Sequence, residues 1–385
     1  MNLRAIHLGM WKKRSKSIMP QVTVGLVAAF LLFNIFENAQ PPPKSQAQEG
    51  TLVESNSSWD QNTVQGRANR MKEPPATQDG PPHLMVHRMT AGRPPDTYMW
   101  QTAFASDFHG NRVVILTDAT TAFQHAGSPG AEFVDMDALV ERQAEVFEML
   151  RTFRQSYKPW GLKEPWEREN IERFFYIAAF ALDRHLQRVF YTDTDVALLT
   201  RVSDLKLPKS CDYLVSIPKQ TFESYFWVVW AGTALLDQQV LMQFLRFVLR
   251  IYSSPQVMAL LTTKERIAPY VCDMSLWFLF AISADPGLAS LVSSPASLPL
   301  PKPANRSRAC DLVALGFDHM HAHTRKGFVL DRDTLTAWDS EQKERKRIKS
   351  VHFQGSAKGF ASVLVEAKPT QFHAFRSVLA KRQRF

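Results

Sequence analysis

Cysteine is scarce in this chain, with three residues in 385: Cys211, Cys272 and Cys310. Three thiols allow at most one intramolecular disulfide, and their spacings lack the close pairs that hold zinc. In an oxidising compartment one pair would close and one thiol would be left over, but the sequence does not choose the pair. No internal repeat is present either. Acidic residues are the minority, 37 against 46 lysines and arginines, for a net charge of +9. The excess lies mainly at the ends: Lys12, Lys13, Arg14 and Lys16, then Lys343, Arg345, Lys346, Arg347 and Lys349, then Lys381, Arg382 and Arg384. Such runs are usually solvated faces, so no nucleic-acid partner is expected.

Hydrophobic residues make up 45% of the chain and charged residues 22%, a globular balance that excludes disorder as the dominant state. The length suits one large or two ordinary domains.

After the first basic cluster comes an uncharged, mostly apolar run from Val22 to Phe36, closed by Glu37. Counted from Ile18, it reaches the lower end of the roughly 17 to 25 residues that span a bilayer core. Positive charge stays cytoplasmic, so the expectation is a cytoplasmic tail over 1–17, a signal anchor over 18–36 and type II topology in the Golgi or ER membrane. A cleaved signal peptide has a similar make-up, and either one sends the body into the secretory pathway. Residues 37–82, with Pro41-Pro-Pro43, Pro74-Pro75 and Pro81-Pro82 among polar residues, read as a stem that cannot bury a core. Asn56-Ser-Ser58 and Asn305-Arg-Ser307 are glycosylation sequons.

From residue 83 to the end, short apolar runs alternate with helical stretches, which predicts an α/β domain around a mostly parallel sheet. Strands are expected over 84–89, 113–117, 188–192, 212–217 and 226–230. Helices are expected over 136–154, 169–185, 236–252 and 371–380, with another starting at Asp273, and a proline-rich loop over 296–303. In the 169–185 helix, Ile171, Phe174, Phe175, Ala178, Ala179 and Leu182 recur at three and four, one helical face.

The strand at 188–192 delivers Asp193-Thr-Asp195, and ligands of open α/β sheets bind at that edge. Two carboxylates one residue apart supply the hard oxygens that Mn2+ or Mg2+ takes, and such an ion neutralises a leaving diphosphate. Alone, the pair reads equally as two aspartates capping a turn.

Arg188-Val-Phe-Tyr-Thr-Asp-Thr-Asp-Val196 resembles the metal-binding segment of glycosyltransferases with the GT-A fold. Val351-His-Phe-Gln-Gly-Ser-Ala-Lys358 is similar to the C-terminal His-x-x-Gly-x-x-Lys signature of the glycogenin-like and galactosyltransferase-like retaining families, although the usual Lys-Pro-Trp ending is Lys358-Gly-Phe360 here. The resemblance implies a metal held by Asp193, Asp195 and His352. It also implies that Gly355 lets the backbone approach the diphosphate of a nucleotide-sugar donor and that Lys358 contacts it. Asp273 resembles the acidic residue such families place near the reacting sugars, and Ala231-Gly232-Thr233 stands where they carry a turn facing the donor sugar. A simple helix cap is the other reading of Asp273. Asp118, Arg173 and Thr194 complete the expected donor contacts, and the acceptor would be a glycan, protein or lipid. His319, His321 and His323, at alternate positions, read either as a metal tract or as exposed histidines.

Two rivals stand beside this reading. A haloacid-dehalogenase-like phosphatase also has Asp-x-Asp after an apolar strand, but that motif continues differently and opens its domain. A catalytically inactive, membrane-tethered binding protein would keep the fold, yet has no physical reason to keep charged residues that are costly to bury.

Overall fold

A computed structural model describes residues 80–88, 97–128, 130–159, 164–205, 208, 210–217, 229–262, 271–285, 301–303, 305–312, 315–317, 328–331, 334–339, 344–353 and 358. All lie in the second of two compact units, Pro75–Phe385. The expected tail, anchor and nearly all of the stem lie outside the described residues, as do the 371–380 helix and the three alternating histidines. Among the described residues no helix is long and apolar enough to cross a membrane.

Seven strands form the main sheet: β1 (His83–Val86), β2 (Val113–Thr117), β3 (Glu132–Asp135), β4 (Arg188–Thr192), β6 (Tyr213–Ser216), β7 (Trp230–Asp237) and β8 (Ala309–Asp311). Their order is β3-β2-β1-β4-β7-β6-β8. Only β7 runs against its neighbours β4 and β6; the other pairings are parallel. This is the mostly parallel α/β sheet expected, and it is compatible with the GT-A fold. Its inner strands are buried along their length, as parallel strands covered on both faces are.

A second, small ladder matters for the site. The chain reverses after β4 into β5 (Val196–Leu198), which pairs antiparallel with β12 (Ser350–His352). The register sets Val196 opposite His352, Ala197 opposite Val351 and Leu198 opposite Ser350. A separate antiparallel unit comprises β9 (Phe328–Asp331), β10 (Thr334–Asp339) and β11 (Glu344–Arg347).

Helices α1 (Thr97–Phe108), α2 (Ala119–Gln124), α3 (Met136–Glu141), α4 (Ala144–Ser156), α5 (Glu164–Asp183), α6 (Gln238–Ser253), α7 (Pro255–Thr262) and α8 (Asp273–Ala284) complete the fold. The apolar face of α5 is fully buried at Ile171, Phe174, Phe175, Ala178 and Ala179. Phe174 meets Tyr191 of β4, Phe244 of α6 and Trp277 of α8 at centroid distances of 5.9, 5.4 and 5.4 Å. Those contacts fix α5 and α8 against β4 directly behind Asp193.

Three expectations need correction. The strand placed at 226–230 begins at Trp230 among the described residues and runs on to Asp237, so Ala231-Gly232-Thr233 is strand rather than turn. The helix placed from Leu236 begins at Gln238, because the Asp237 carboxylate accepts from the Gln239 amide at 2.9 Å and caps it. The single helix over 136–154 is two, broken at Arg142 and Gln143 with no proline or glycine to mark the break.

The disulfide joins Cys211 to Cys310, tying the start of β6 to β8 across 99 residues of sequence, and Cys272 is free. Closing a loop of that length lowers unfolded-state entropy by an amount worth about 4.7 kcal/mol in the chain-entropy account. The double substitution Cys211→Ser with Cys310→Ser is therefore expected to lower the denaturant-derived stability by about 2 to 4 kcal/mol; equal stability would remove the staple from this account.

His83 of β1 is wholly buried, hydrogen-bonded to Ser106 Oγ of α1 and Thr192 Oγ1 of β4, each at 2.7 Å. Burial pushes its imidazole down to about 3. The folded protein thus keeps His83 neutral while the unfolded chain takes up a proton below its ordinary value. This stability is complete above that ordinary value and is lost as pH falls toward 3. Between pH 7 and pH 5 the wild type should lose about 2 kcal/mol more than His83→Gln, read from paired denaturant titrations.

Candidate functional site

The site forms where β4 ends. Val196 N donates to Asp193 O at 3.1 Å, closing a tight turn that returns the chain into β5, and Asp193 N donates to Gly232 O of β7 at 2.7 Å. A side chain at Gly232 would collide with Asp193 Oδ2 and with the indole of Trp230. Glycine there is a condition of the close approach between the two strands.

The carboxylate of Asp193 is held from behind. Arg173 Nη1 of α5 and the Tyr191 hydroxyl of β4 both donate to Asp193 Oδ1, each at 2.6 Å. The other arm of Arg173 donates a short hydrogen bond to Asp273 Oδ2 at the first turn of α8. Arg173, Asp193 and Asp273 are all largely shielded from solvent. Burial works against the Arg173 charge, but Asp193, Tyr191 and Asp273 hold its guanidinium above the ordinary value. Asp273 moves the opposite way from an exposed carboxylate: burial raises it, Asp193 adds to the rise, and Arg173 opposes it. The cap of α8 is Cys272 together with Ser275, so the capping reading of Asp273 gives way to its ion pair with Arg173.

Asp195 faces different partners. His352 Nε2 lies 3.3 Å from Asp195 Oδ1, and Lys358 Nζ lies 3.2 Å from Oδ2. The β5–β12 register creates this meeting, since it sets His352 beside the residue that follows Asp195. Phe353 N then donates to Asp195 O at 2.8 Å and fastens the segment. Burial resists ionisation of Asp195, but the hydrogen bond and charge of His352 and the charge of Lys358 hold it below the ordinary carboxylate value. The His352 ring stacks on Trp230 at 4.7 Å, and Lys358 Nζ sits 4.7 Å above the ring of Tyr98 on α1.

Of the remaining sequence candidates, Thr194 is tethered through its carbonyl, which accepts from Thr102 Oγ1 of α1 at 2.7 Å. Asp118 caps α2: its carboxylate accepts from Thr121 N at 3.0 Å and from Thr121 Oγ1 at 2.7 Å. It stays at the edge, but its oxygens serve the helix. Gly355 lies outside the described residues. Sequence reasoning missed Tyr191, Trp230, Tyr98 and the tether at Thr102. Tyr191 was findable, because it precedes Asp193 by two and so shares its face of the strand; the others depend on long-range pairing.

Among the described residues no group of three or more His, Cys, Asp or Glu side chains surrounds a common point. Asp195 and His352 meet, while Asp193 faces Arg173 and Tyr191. The donor types, carboxylate oxygen and imidazole nitrogen, still suit a manganese-like ion.

No family model and no curated protein matches the sequence. Among solved structures the chain is similar to the PaToxG glycosyltransferase at 12% identity, covering 60% of this chain and 80% of that one, with a TM-score of 0.31. It is similar to a glycosyltransferase involved in glycosylation of the major capsid of PBCV-1 at 11% identity, covering 74% and 99%, TM-score 0.35. It is also similar to the galactosyltransferase LgtC in complex with donor and acceptor sugar analogues at 14% identity, covering 51% and 68%, TM-score 0.30. Similarity at this level decides nothing about activity, which has to be read from the side chains.

Proposed function

We propose that this chain is a GT-A-type glycosyltransferase that moves a sugar from a nucleotide donor, a UDP-sugar, to a glycan, protein or lipid acceptor, as a type II protein of the Golgi or ER membrane. The observation that carries the reading is the convergence on Asp195. His352 and Lys358, from the C-terminal motif, both reach the second aspartate of the Asp-Thr-Asp turn at the sheet edge where α/β proteins bind ligands.

Asp193, Asp195 and His352 would hold Mn2+ or Mg2+, which when bound supplies positive charge to the departing diphosphate. The chain's own residues do the rest. Lys358 brings an ammonium to the same place, a point charge suited to phosphate oxygens. Arg173 fixes Asp193 with one arm and Asp273 with the other, so the acidic group at the start of α8 keeps a set distance from the Asp-Thr-Asp turn. Asp273, aimed by that bridge, is the group we assign to the reacting sugars. Thr194 would offer backbone to the diphosphate from the turn, the part assigned to Gly355 is the one its motif implies, and Asp118 would meet the nucleotide from the cap of α2. A phosphatase nucleophile at Asp193 is disfavoured by position, because the Asp-Thr-Asp turn lies about 100 residues or more into the folded body instead of opening it.

The test is UDP affinity by calorimetry and UDP-sugar hydrolysis, in Mn2+ and in EDTA, for the wild type, Asp195→Ala and His352→Ala, each first shown to melt cooperatively. Wild type should bind UDP more tightly with Mn2+, and both variants should fall to the EDTA affinity and lose turnover by about 100-fold or more. A folded wild type with no metal-dependent binding of any common nucleotide sugar would sink the enzyme and leave the tethered binding protein in its place.

A further inference from the structure

One turn-step away from Arg173, its neighbour Glu172 lies at the centre of a second charged cluster. Glu172 is 1% exposed, and three guanidiniums converge on it. Arg154 binds it with two hydrogen bonds, Nε to Oε1 at 3.0 Å and Nη2 to Oε2 at 2.7 Å. Arg88 Nη1 donates to Oε2 at 2.9 Å, and Arg168 Nε lies 3.4 Å from Oε1 with no hydrogen-bond acceptor of its own. The Tyr176 hydroxyl accepts from Arg154 and Arg88 at 2.9 and 3.3 Å and reaches Asp137 at 3.5 Å. Burial and Glu172 push that phenol up to about 12, so it adds no charge.

Three arginines exceed what one buried carboxylate needs, and even counting the more distant Asp137 the cluster stays positive. Their side chains remain 34%, 41% and 41% exposed, so the cluster opens to water around a rigid anchor. The topology sets where this is. Arg88 follows the C-terminal end of β1, Arg154 ends α4, and Arg168 and Glu172 lie in the N-terminal half of α5, whose next residue, Arg173, reaches Asp193. The cluster therefore shares the C-terminal edge of the sheet with the Asp-Thr-Asp turn. Arginine forks held in place by a buried carboxylate bind planar or tetrahedral oxyanions in bidentate fashion.

We propose that Arg88, Arg154 and Arg168, organised by Glu172, form a second anion site on this edge, one that takes a carboxylate or phosphate group carried by a substrate. This rests on reading the edge as the substrate-binding edge, but it needs no metal and no transfer. The probes are inorganic phosphate and glucuronate, titrated in EDTA into the full chain by calorimetry and by thermal shift. Saturable binding is expected, about tenfold weaker in Arg168→Gln and unchanged in Arg151→Gln, an exposed arginine on α4 that pairs with Glu148 instead. Arg168 makes no hydrogen bond to Glu172, so its loss should leave the melting temperature almost unmoved and the comparison clean. Competition by UDP in EDTA would assign the bound group to the donor's phosphates, and independent binding would assign it to an acidic acceptor. Absence of saturable binding by both anions, or equal binding in wild type and Arg168→Gln, overturns the site while leaving metal-dependent UDP binding at Asp195 untouched.

Discussion

The arrangement depends on one buried interaction, the two-armed bridge from Arg173 to Asp193 and Asp273. It ties α5, the end of β4 and the start of α8 into a single unit at the sheet edge. Taking three charges out of water costs several kcal/mol per ion before their attraction offsets it, and apolar residues of similar volume would often hold such elements together at least as well. Stability alone is thus a poor account of the bridge. What the bridge does supply is position: a guanidinium is a planar fork that keeps two carboxylates at a set spacing. The packing behind it serves the same end: Phe174, beside Arg173, is locked among Tyr191, Phe244 and Trp277, so the arginine has little freedom to leave.

Much of this was legible where the signal is local. The runs Val113 to Leu116 and Val189 to Tyr191 have the unbroken apolar character of strands covered on both faces, and both lie in inner strands of the sheet. The three-and-four spacing from Ile171 onward placed α5, although the helix starts at Glu164, five residues before the expected Glu169. What was not legible depends on distant partners. Ala231-Gly232-Thr233 reads as a turn from the family resemblance alone; the pairing of Thr233 with Thr192 and the bond from Asp193 N to Gly232 O make it strand, and the crowding of Asp193 and Trp230 explains the glycine. The short β5 is only three residues long, too brief for any periodicity, and exists through its pairing with β12.

The same distinction applies to the site residues. Asp193, Asp195, His352 and Lys358 were named from their motifs, but no motif says which aspartate meets which partner. The structure divides them: Asp193 looks back to Arg173 and Tyr191, and Asp195 looks forward to His352 and Lys358. One residue of separation is enough to send two identical side chains into different electrostatic surroundings here, because the tight turn at Asp193 breaks the strand alternation that would keep residues two apart on one face. The disulfide is similar. Three cysteines permitted three pairings, and only the parallel alignment of β6 with β8 brings Cys211 and Cys310 to a Cα separation of 5.7 Å.

Helix α5 also explains why two charged clusters can coexist on one edge without merging. Consecutive residues on an α-helix point about 100° apart, so Glu172 and Arg173 serve opposite flanks of the same turn. Glu172 gathers cations from the ends of β1 and α4, whereas Arg173 gathers anions from β4 and α8. The signs are complementary: one flank is a carboxylate with too many arginines, the other an arginine with two carboxylates. Both proposed sites therefore hang on one helix: a substrate that engaged both would have to present its anionic group and its diphosphate at the spacing that Glu172 and Arg173 set.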